Sequence, residues 1–299
     1  MKKGTIIAII LAVLLIIAGG IMVTMGLSYA GDSVQESTLA EQRITVAEPF
    51  HSVKIDTQDC DVKFVPYNGD TDAEIYILEA ERVSHKVLVE DGVLTINMVD
   101  ERKWHDFVGV FHVFGKMETM SITLCIPNTI YNCVQIRTDT GDIRIPQALE
   151  AVEMQLRSST GDIFCESVNG DVLDCMTSTG DITVQSSVPT YMKLHSSTGD
   201  LQVSVVGGQE IHLMTDTGEV SAENVRVQMF TCRSNTGDVE LENVQAEEYL
   251  QVFTDTGDID IENSDAPDIN IESSTGDIKV PADWQSQRIE TDTGKIKYK

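Results

Sequence analysis

From about residue 134 onward, the apolar residues keep a fixed relation to a threonine-glycine pair. Counted from that glycine as zero they fall at −7, −5, +2 and +4: Val134, Ile136, Ile143 and Ile145 in the first unit, Met154, Leu156, Ile163 and Cys165 in the second, Ile211, Leu213, Val220 and Ala222 in the fifth. Alternation with period two buries one face of a β-strand. Each unit therefore predicts a strand, a Thr-Gly corner, a second strand and a second corner, the last often with an apolar residue at +7 (Val168, Val206, Val225, Val244). The glycines are Gly141, Gly161, Gly180, Gly199, Gly218, Gly237, Gly257, Gly276 and Gly294, spaced 20, 19, 19, 19, 19, 20, 19 and 18 residues apart. Threonine precedes each, and Ser or Thr stands three positions before it (Thr138, Ser158, Thr177, Ser196, Thr215, Ser234, Thr254, Ser273, Thr291).

Strand, corner, strand fits two architectures. A two-residue antiparallel hairpin needs φ > 0 at its first central residue, which β-branched threonine resists. A type II turn puts φ > 0 on glycine at the second central position and splays the strands as a corner requires. A constant repeat length also suits coils stacked in register about 4.8 Å apart, where an inserted residue breaks pairing on both sides. The pattern predicts an all-β parallel solenoid of about 19-residue coils over residues 131–299.

Residues 44–130 read as irregular coils of the same kind. Val53 to Phe64 aligns without gaps on Val134 to Ile145, with Cys60 where glycine would stand. Further strands are predicted at Glu74–Leu78, Lys86–Val89, Leu94–Met98 and Ser121–Ile126. Between the last two lies an aromatic insertion, residues 101–117, in which Trp104, Phe107, Phe111 and Phe114 recur at helical spacing, although Val108, Val110, His112 and Phe114 also permit a strand. It is expected to plug the open end of the solenoid, with a membrane- or ligand-binding patch as the alternative. At the far end, Ile296 and Tyr298 are expected to continue the inward pattern while Lys295, Lys297 and Lys299 face out and discourage edge pairing, so that the protein stays a monomer.

The N-terminus sets the expected compartment. Thr5 to Leu27 is uncharged and free of proline, and its 23 residues would span roughly 34 Å as a helix, enough to cross a bilayer. Lys2 and Lys3 precede the run and Asp32 and Glu36 follow it, so residues 1–31 form a cytoplasmic tip and transmembrane helix, residues 32–43 a linker, and the rest lies outside the cytoplasmic membrane. Ser28-Tyr29-Ala30 would serve as a signal-peptidase site, but the run exceeds the ~7–15 residues of a signal-peptide core.

A net charge of −27 disfavours nucleic acid and anionic lipid and points to a cationic, neutral or metal-bridged partner. The six cysteines, Cys60, Cys125, Cys133, Cys165, Cys175 and Cys232, include no C-x-x-C pair or zinc-like spacing; Cys175 and Cys232, at the inward −5 position, read as small core residues. No cofactor motif is present.

Position +1 is acidic in eight coils, Asp142, Asp162, Asp181, Asp200, Glu219, Asp238, Asp258 and Asp277. Stacked about 4.8 Å apart, neighbours would repel by roughly 0.9 kcal/mol even in water. Hydrogen bonds from corner amides or a threonine hydroxyl are the expected compensation. Calcium is the alternative, with Asn235, Asp238, Asp255 and Asp258 as candidate ligands, although serine at −2 in four coils breaks a continuous row. An ice-binding threonine face is disfavoured, because −3 and −1 share parity with the buried −5 and −7. A polysaccharide lyase or hydrolase needs a cleft of long loops and paired acids, whereas these corners are short and uniform; His195 and His212 fall at outward positions. The chain is therefore not expected to be an enzyme.

The repeated Ser/Thr-x-Thr-Gly-Asp-Ile/Val/Leu pattern, as in Ser196-Ser197-Thr198-Gly199-Asp200-Leu201 and Thr254-Asp255-Thr256-Gly257-Asp258-Ile259, resembles the bacterial "putative adhesin" family of unknown function over roughly residues 44–299. The resemblance implies a parallel β-helix outside the cytoplasmic membrane and no catalytic residues. It makes an adhesin-like envelope interaction or scaffold module, binding an envelope polymer or membrane protein, the expected role, with an accessory role in envelope-stress sensing as the alternative.

Overall fold

The computed structural model describes residues 39–67, 72–102 and 119–299. The expected membrane span and Trp104, Phe107, Phe111 and Phe114 lie outside the described residues. Among the described residues no helix is long and apolar enough to cross a membrane.

The repeat folds as a parallel β-solenoid. Its first coil is β8 (Ile130–Thr138) and β9 (Ile143–Ile145), and β10 (Leu149–Thr160), β11 (Ile163–Glu166), β12 (Val168–Thr179), β13 (Ile182–Gln185), β14 (Val188–Thr198) and β15 (Leu201–Gly207) continue the stack. It ends through β16 (Glu210–Thr217), β17 (Val220–Thr236), β18 (Val239–Thr256), β19 (Ile259–Glu262), β20 (Asp268–Thr275), β21 (Ile278–Val280), β22 (Arg288–Thr293) and β23 (Ile296–Tyr298). The −5 residues form one column through the core: Ile136, Leu156, Cys175, Leu194, Leu213, Cys232, Val252, Ile271 and Ile289 are register partners in succession, all buried. Cys60, Cys165, Cys175 and Cys232 are buried, and all six cysteines are free thiols. The 20-residue spacing before Gly257 is absorbed as a register shift between Val227 and Met229. The 18-residue spacing before Gly294 coincides with a 3-10 turn, Ala282–Ser286, that buries Trp284.

The Thr-Gly corner is not the expected type II turn. Gly199 has φ of +150°, far from the +80° of that turn and in a region essentially confined to glycine. Stacking supplies the stronger reason: a Cβ on Gly199 would lie 2.0 Å from the carbonyl oxygen of Gly180 in the coil before. The Ser/Thr residues at −3 are an internal ladder, as parity requires. Ser196 Oγ donates to Gly180 O at 2.9 Å and Thr215 Oγ1 to Gly199 O at 3.0 Å, both fully buried. Beyond −3 the alternation stops, and Thr198 at −1 is exposed. The second corner falls at +6, where Ser167, Ser186, Val205, Asn224, Asn243 and Asn263 all take φ between 50° and 58°. Asparagine suits that left-handed conformation and β-branched Val205 does not.

Stacking order departs from chain order at the N-terminal end. The coil formed by β2 (Ser52–Asp56) and β3 (Cys60–Tyr67) pairs in parallel with β8 and β9, Val53 opposite Val134 and Val62 opposite Ile143. On its other side it pairs in parallel with β6 (Val93–Asp100) and β7 (Met120–Pro127). The earlier segment is thus inserted between two later ones. Three antiparallel strands finish this end: β5 (Val83–Glu90) against β6, and β4 (Ala73–Glu79) against β7 with β1 (Ala40–Val46) outside it. The last residues of the expected 32–43 linker are therefore edge strand. Arg43 pairs with Glu74 and lies over the Tyr76 ring, 5.4 Å from its centroid.

At the other end, Tyr298 is 40% exposed rather than inward. Lys297 Nζ donates to Asp277 Oδ2 at 3.0 Å and Lys299 Nζ to Asp260 Oδ1 at 2.6 Å, so two of the terminal lysines fold back on the acids of preceding coils.

Candidate functional site

The acidic +1 positions form a hydrogen-bonded ladder. The backbone amide of each +1 residue donates to Oδ1 of the aspartate one coil earlier: Asp162 to Asp142 at 2.9 Å, Asp181 to Asp162 at 2.9 Å, Asp258 to Asp238 at 2.7 Å, Asp277 to Asp258 at 2.7 Å. Each rung is a charge-assisted bond that offsets the repulsion between neighbouring carboxylates. Glu219 interrupts the series: its own amide donates to Asp200 at 2.8 Å, but its longer side chain gives no rung to Asp238. Burial, with Glu240, Asp200 and Asp238 adding repulsion, raises its carboxyl above the ordinary glutamate range. Among the described residues no group of three or more His, Cys, Asp or Glu side chains is arranged to hold a metal ion. Of the calcium candidates, Asp238 and Asp258 are rungs of the ladder, and Asn235 Nδ2 donates to Asp216 Oδ1 at 2.9 Å as a link between coils.

Two outward surfaces flank this ladder, and they differ in kind. The strands after each Thr-Gly corner carry Glu223, Glu240, Glu242, Asp260 and Glu262 around a shallow recess of about 370 Å³. The strands before each corner carry the residues at −8, −6 and −4, which change from coil to coil while the buried frame repeats. Register places Tyr191, Glu210, Met229 and Tyr249 in one column, Lys193, His212, Thr231 and Gln251 in the next, and His195, Met214, Arg233 and Phe253 in the third. His212 Nε2 meets Glu210 Oε1 at 2.6 Å and its ring lies 5.5 Å from that of Tyr191. Arg157 pairs with Asp174. His195 Nδ1 is buried without a hydrogen-bond partner, and Met214 is 40% exposed. The two histidines are thus half-buried parts of a side-chain layer rather than solvated singly. Aromatic, thioether, imidazole and guanidinium groups on a parallel sheet can stack against and hydrogen-bond an extended ligand.

One cluster escaped sequence reasoning altogether. His85 Nε2 lies 3.5 Å from Cys60 Sγ and 3.3 Å from Thr57 Oγ1, and its Nδ1 lies 2.9 Å from Glu79 Oε1. Met98 Sδ accepts from Thr57 Oγ1 at 3.5 Å and from the Gln58 amide at 3.3 Å. Burial pushes the Cys60 thiol up to about 11. Cys60 is legible as the occupant of a glycine position; His85, 25 residues on, lies in a strand outside the repeat and carries no motif.

A repeating buried frame, a varied outward face and short corners define a repeat-built β-solenoid. The sequence model of the Toastrack DUF4097 family matches residues 50–224 and 208–298, and the chain belongs to that family. No functionally curated protein matches it. Three solved structures are similar: a "putative adhesin" from Parabacteroides merdae ATCC 43184 (13% identity, TM-score 0.53, 88% of this chain and 98% of that one), a "putative lipid binding protein" from Parabacteroides distasonis ATCC 8503 (13%, 0.50, 88% and 98%), and a "putative adhesin" from Bacteroides fragilis NCTC 9343 (18%, 0.46, 87% and 97%). At these identities the likeness concerns the fold.

Proposed function

We propose that this protein is a membrane-tethered, extracytoplasmic solenoid that acts as an adhesin-like interaction module, binding an extended, neutral or cationic polymer of the cell envelope along the face that precedes the Thr-Gly corners. The observation that carries the reading is the contrast within each coil: −7, −5, −3 and 0 repeat, while −8, −6 and −4 vary and include Tyr191, His195, His212, Tyr249 and Phe253. A frame that repeats under a face that does not is the economy of a binding surface, since folding alone constrains only the frame. The charge of −27 disfavours a polyanionic partner. The tether rests on the apolar run Thr5 to Leu27 behind Lys2 and Lys3. Of the structural relatives, one bears an adhesin name and one a lipid-binding name, and both kinds fit a non-enzymatic interaction role.

The test is co-sedimentation of the solenoid, residues 39–299, with purified envelope fractions. The wild type should sediment with the wall-polymer fraction, and a Tyr191→Ser, Tyr249→Ser, Phe253→Ser triple variant should stay in solution with its melting temperature within a few degrees of the parent. Undiminished sedimentation of the triple variant would overturn the assignment of this face. Protease added to wall-stripped cells should cut beyond Asp32 and leave a membrane-held stub; complete protection would overturn the topology.

A further inference from the structure

We propose that Cys60, His85 and Met98 form a binding site for one copper(I) ion at the N-terminal end of the solenoid. The three come from different strands, β3, β5 and β6, and meet around the hydroxyl of Thr57. Cys60 stands in the glycine column directly below Gly141, whose Cβ would touch its carbonyl, and its side chain is fully buried.

The spacing suits an ion. For metal-sulfur and metal-nitrogen bonds of about 2.3 and 2.0 Å, two ligand atoms at a tetrahedral angle stand about 3.5 Å apart. Cys60 Sγ and His85 Nε2 stand 3.5 Å apart. The histidine is oriented from behind: Glu79 Oε1 takes a hydrogen bond from the His85 backbone amide at 2.7 Å and lies 2.9 Å from Nδ1. A carboxylate in that place holds the N–H on Nδ1 and leaves Nε2 facing the thiol, the arrangement that second-shell carboxylates give metal-binding histidines. Thr57 Oγ1 donates to Met98 Sδ, which leaves the Cys60 thiol as the donor facing Nε2; a thiol, a thioether and an imidazole nitrogen gathered in one place match a soft cation.

Ligand type selects the ion. Thiolate and thioether sulfur favour copper(I) among the biological metals. Cys60 gives up its thiol proton to solvent on binding, so thiolate and copper(I) together are neutral, while the Glu79 carboxylate stays behind the ring on Nδ1. No group of three His, Cys, Asp or Glu ligands exists among the described residues; Met98 Sδ, 3.5 Å from the same Thr57 hydroxyl that lies 3.3 Å from His85 Nε2, offers the third ligand. Met98 now accepts from Thr57 and Gln58, and its unbranched side chain can turn from them onto an ion. A polar recess of about 570 Å³ lies beside the cluster, with Thr57 and Met98 in its lining.

The full-length chain, reduced and kept under nitrogen, should be titrated with copper(I) against a chromophoric copper(I) chelator, with zinc(II) as comparator. One equivalent should be retained, and X-ray absorption should report mixed sulfur and nitrogen coordination. Cys60→Ser should abolish retention, Met98→Leu should weaken it without loss of fold by circular dichroism, and Glu79→Gln should weaken it roughly 10–100-fold. His85→Gln gives a second route should Cys60→Ser fail to fold. The proposal is overturned by no retention in the wild type, by zinc(II) displacing copper(I) at equal concentration, by an all-sulfur coordination shell, or by unchanged affinity in the Met98→Leu or His85→Gln protein.

Discussion

The backbone amide of Asp200 donates to Oδ1 of Asp181, 2.8 Å away, so the aspartate of one coil holds the corner of the next. The bond joins residues 19 positions apart in sequence, and it makes aspartate, rather than any acid, the residue required at +1. A longer side chain overshoots the amide, as Glu219 does.

Glu219→Asp should therefore complete the ladder between Asp200 and Asp238 and stabilise the solenoid by about 1 kcal/mol, the net worth of a typical hydrogen bond. Thermal or urea unfolding of the variant against the parent measures this. A lower midpoint would show that the interruption is favourable in its own right.

Val205 holds φ of 54° where Asn224 and Asn243 occupy the equivalent corners, and its side chain is 58% exposed. A β-branched residue in the left-handed region costs of order 1–3 kcal/mol, and little buried area is lost by replacing it. Val205→Asn should raise the melting temperature. Val205→Ala should recover only part of the gain, which separates relief of crowding from the preference of asparagine for this conformation.

At Gly199 the smallest side chain already collides with backbone, and coils lie on both sides. Gly199→Ala should destabilise by about 1–3 kcal/mol or more through a conformation that L-residues avoid and a forced separation of coils. Gly294→Ala meets the carbonyl of Gly276 at 2.0 Å, but it lies in the last coil, which can lift. Its variant should melt closer to the wild type, and equal losses at the two positions would contradict the stacking account.

Two carboxyls give opposite pH signatures. Hydrogen bonds from Lys297 and from the Lys295 amide hold Asp277 below the usual carboxylate range, so its contribution is present above the unfolded pKa of about 3.9 and is lost as pH falls through the folded value. Glu219 is raised, by burial first and then by Glu240, Asp200 and Asp238; the folded state binds the extra proton, and stability declines as pH rises from about 4.3 through the raised value. Melting curves between pH 3 and 7 should show Lys297→Met losing part of the acid-side dependence and Glu219→Gln losing part of the decline toward neutrality.

The parts of the fold legible in the sequence are those governed by period. Alternation placed Leu194 and Leu213 inside, and parity placed Ser196 and Thr215 in an internal ladder, because side-chain direction in a strand depends only on counting. Three-dimensional stacking was less legible. The glycine requirement reads from sequence as a turn type, whereas a carbonyl 2.0 Å from the missing Cβ of Gly199 belongs to another coil. Tyr298 continues the inward alternation, yet without a further coil above it the ring remains in solvent. The Cys60, His85 and Met98 cluster was hidden because its members lie in strands whose order in space differs from their order in the chain. On the varied face, the outward direction of His195 and His212 was legible, but the contact of His212 with Tyr191 joins neighbouring coils and depends on register.

That reversal of order bears on how the molecule comes to be folded. From the second Thr-Gly coil onward, each turn adds to a neighbour about 19 residues away, a short loop that closes cheaply and can propagate like a zipper. The 52–67 coil instead joins a segment 81 residues further along and must be received between two layers that the ribosome has yet to make when it emerges. Contacts so distant in sequence form late and slowly, so the regular coils are expected to assemble first and the N-terminal end to close last. The segment nearest the expected membrane tether would then be the final one to lock, after the face that projects from it has already taken shape.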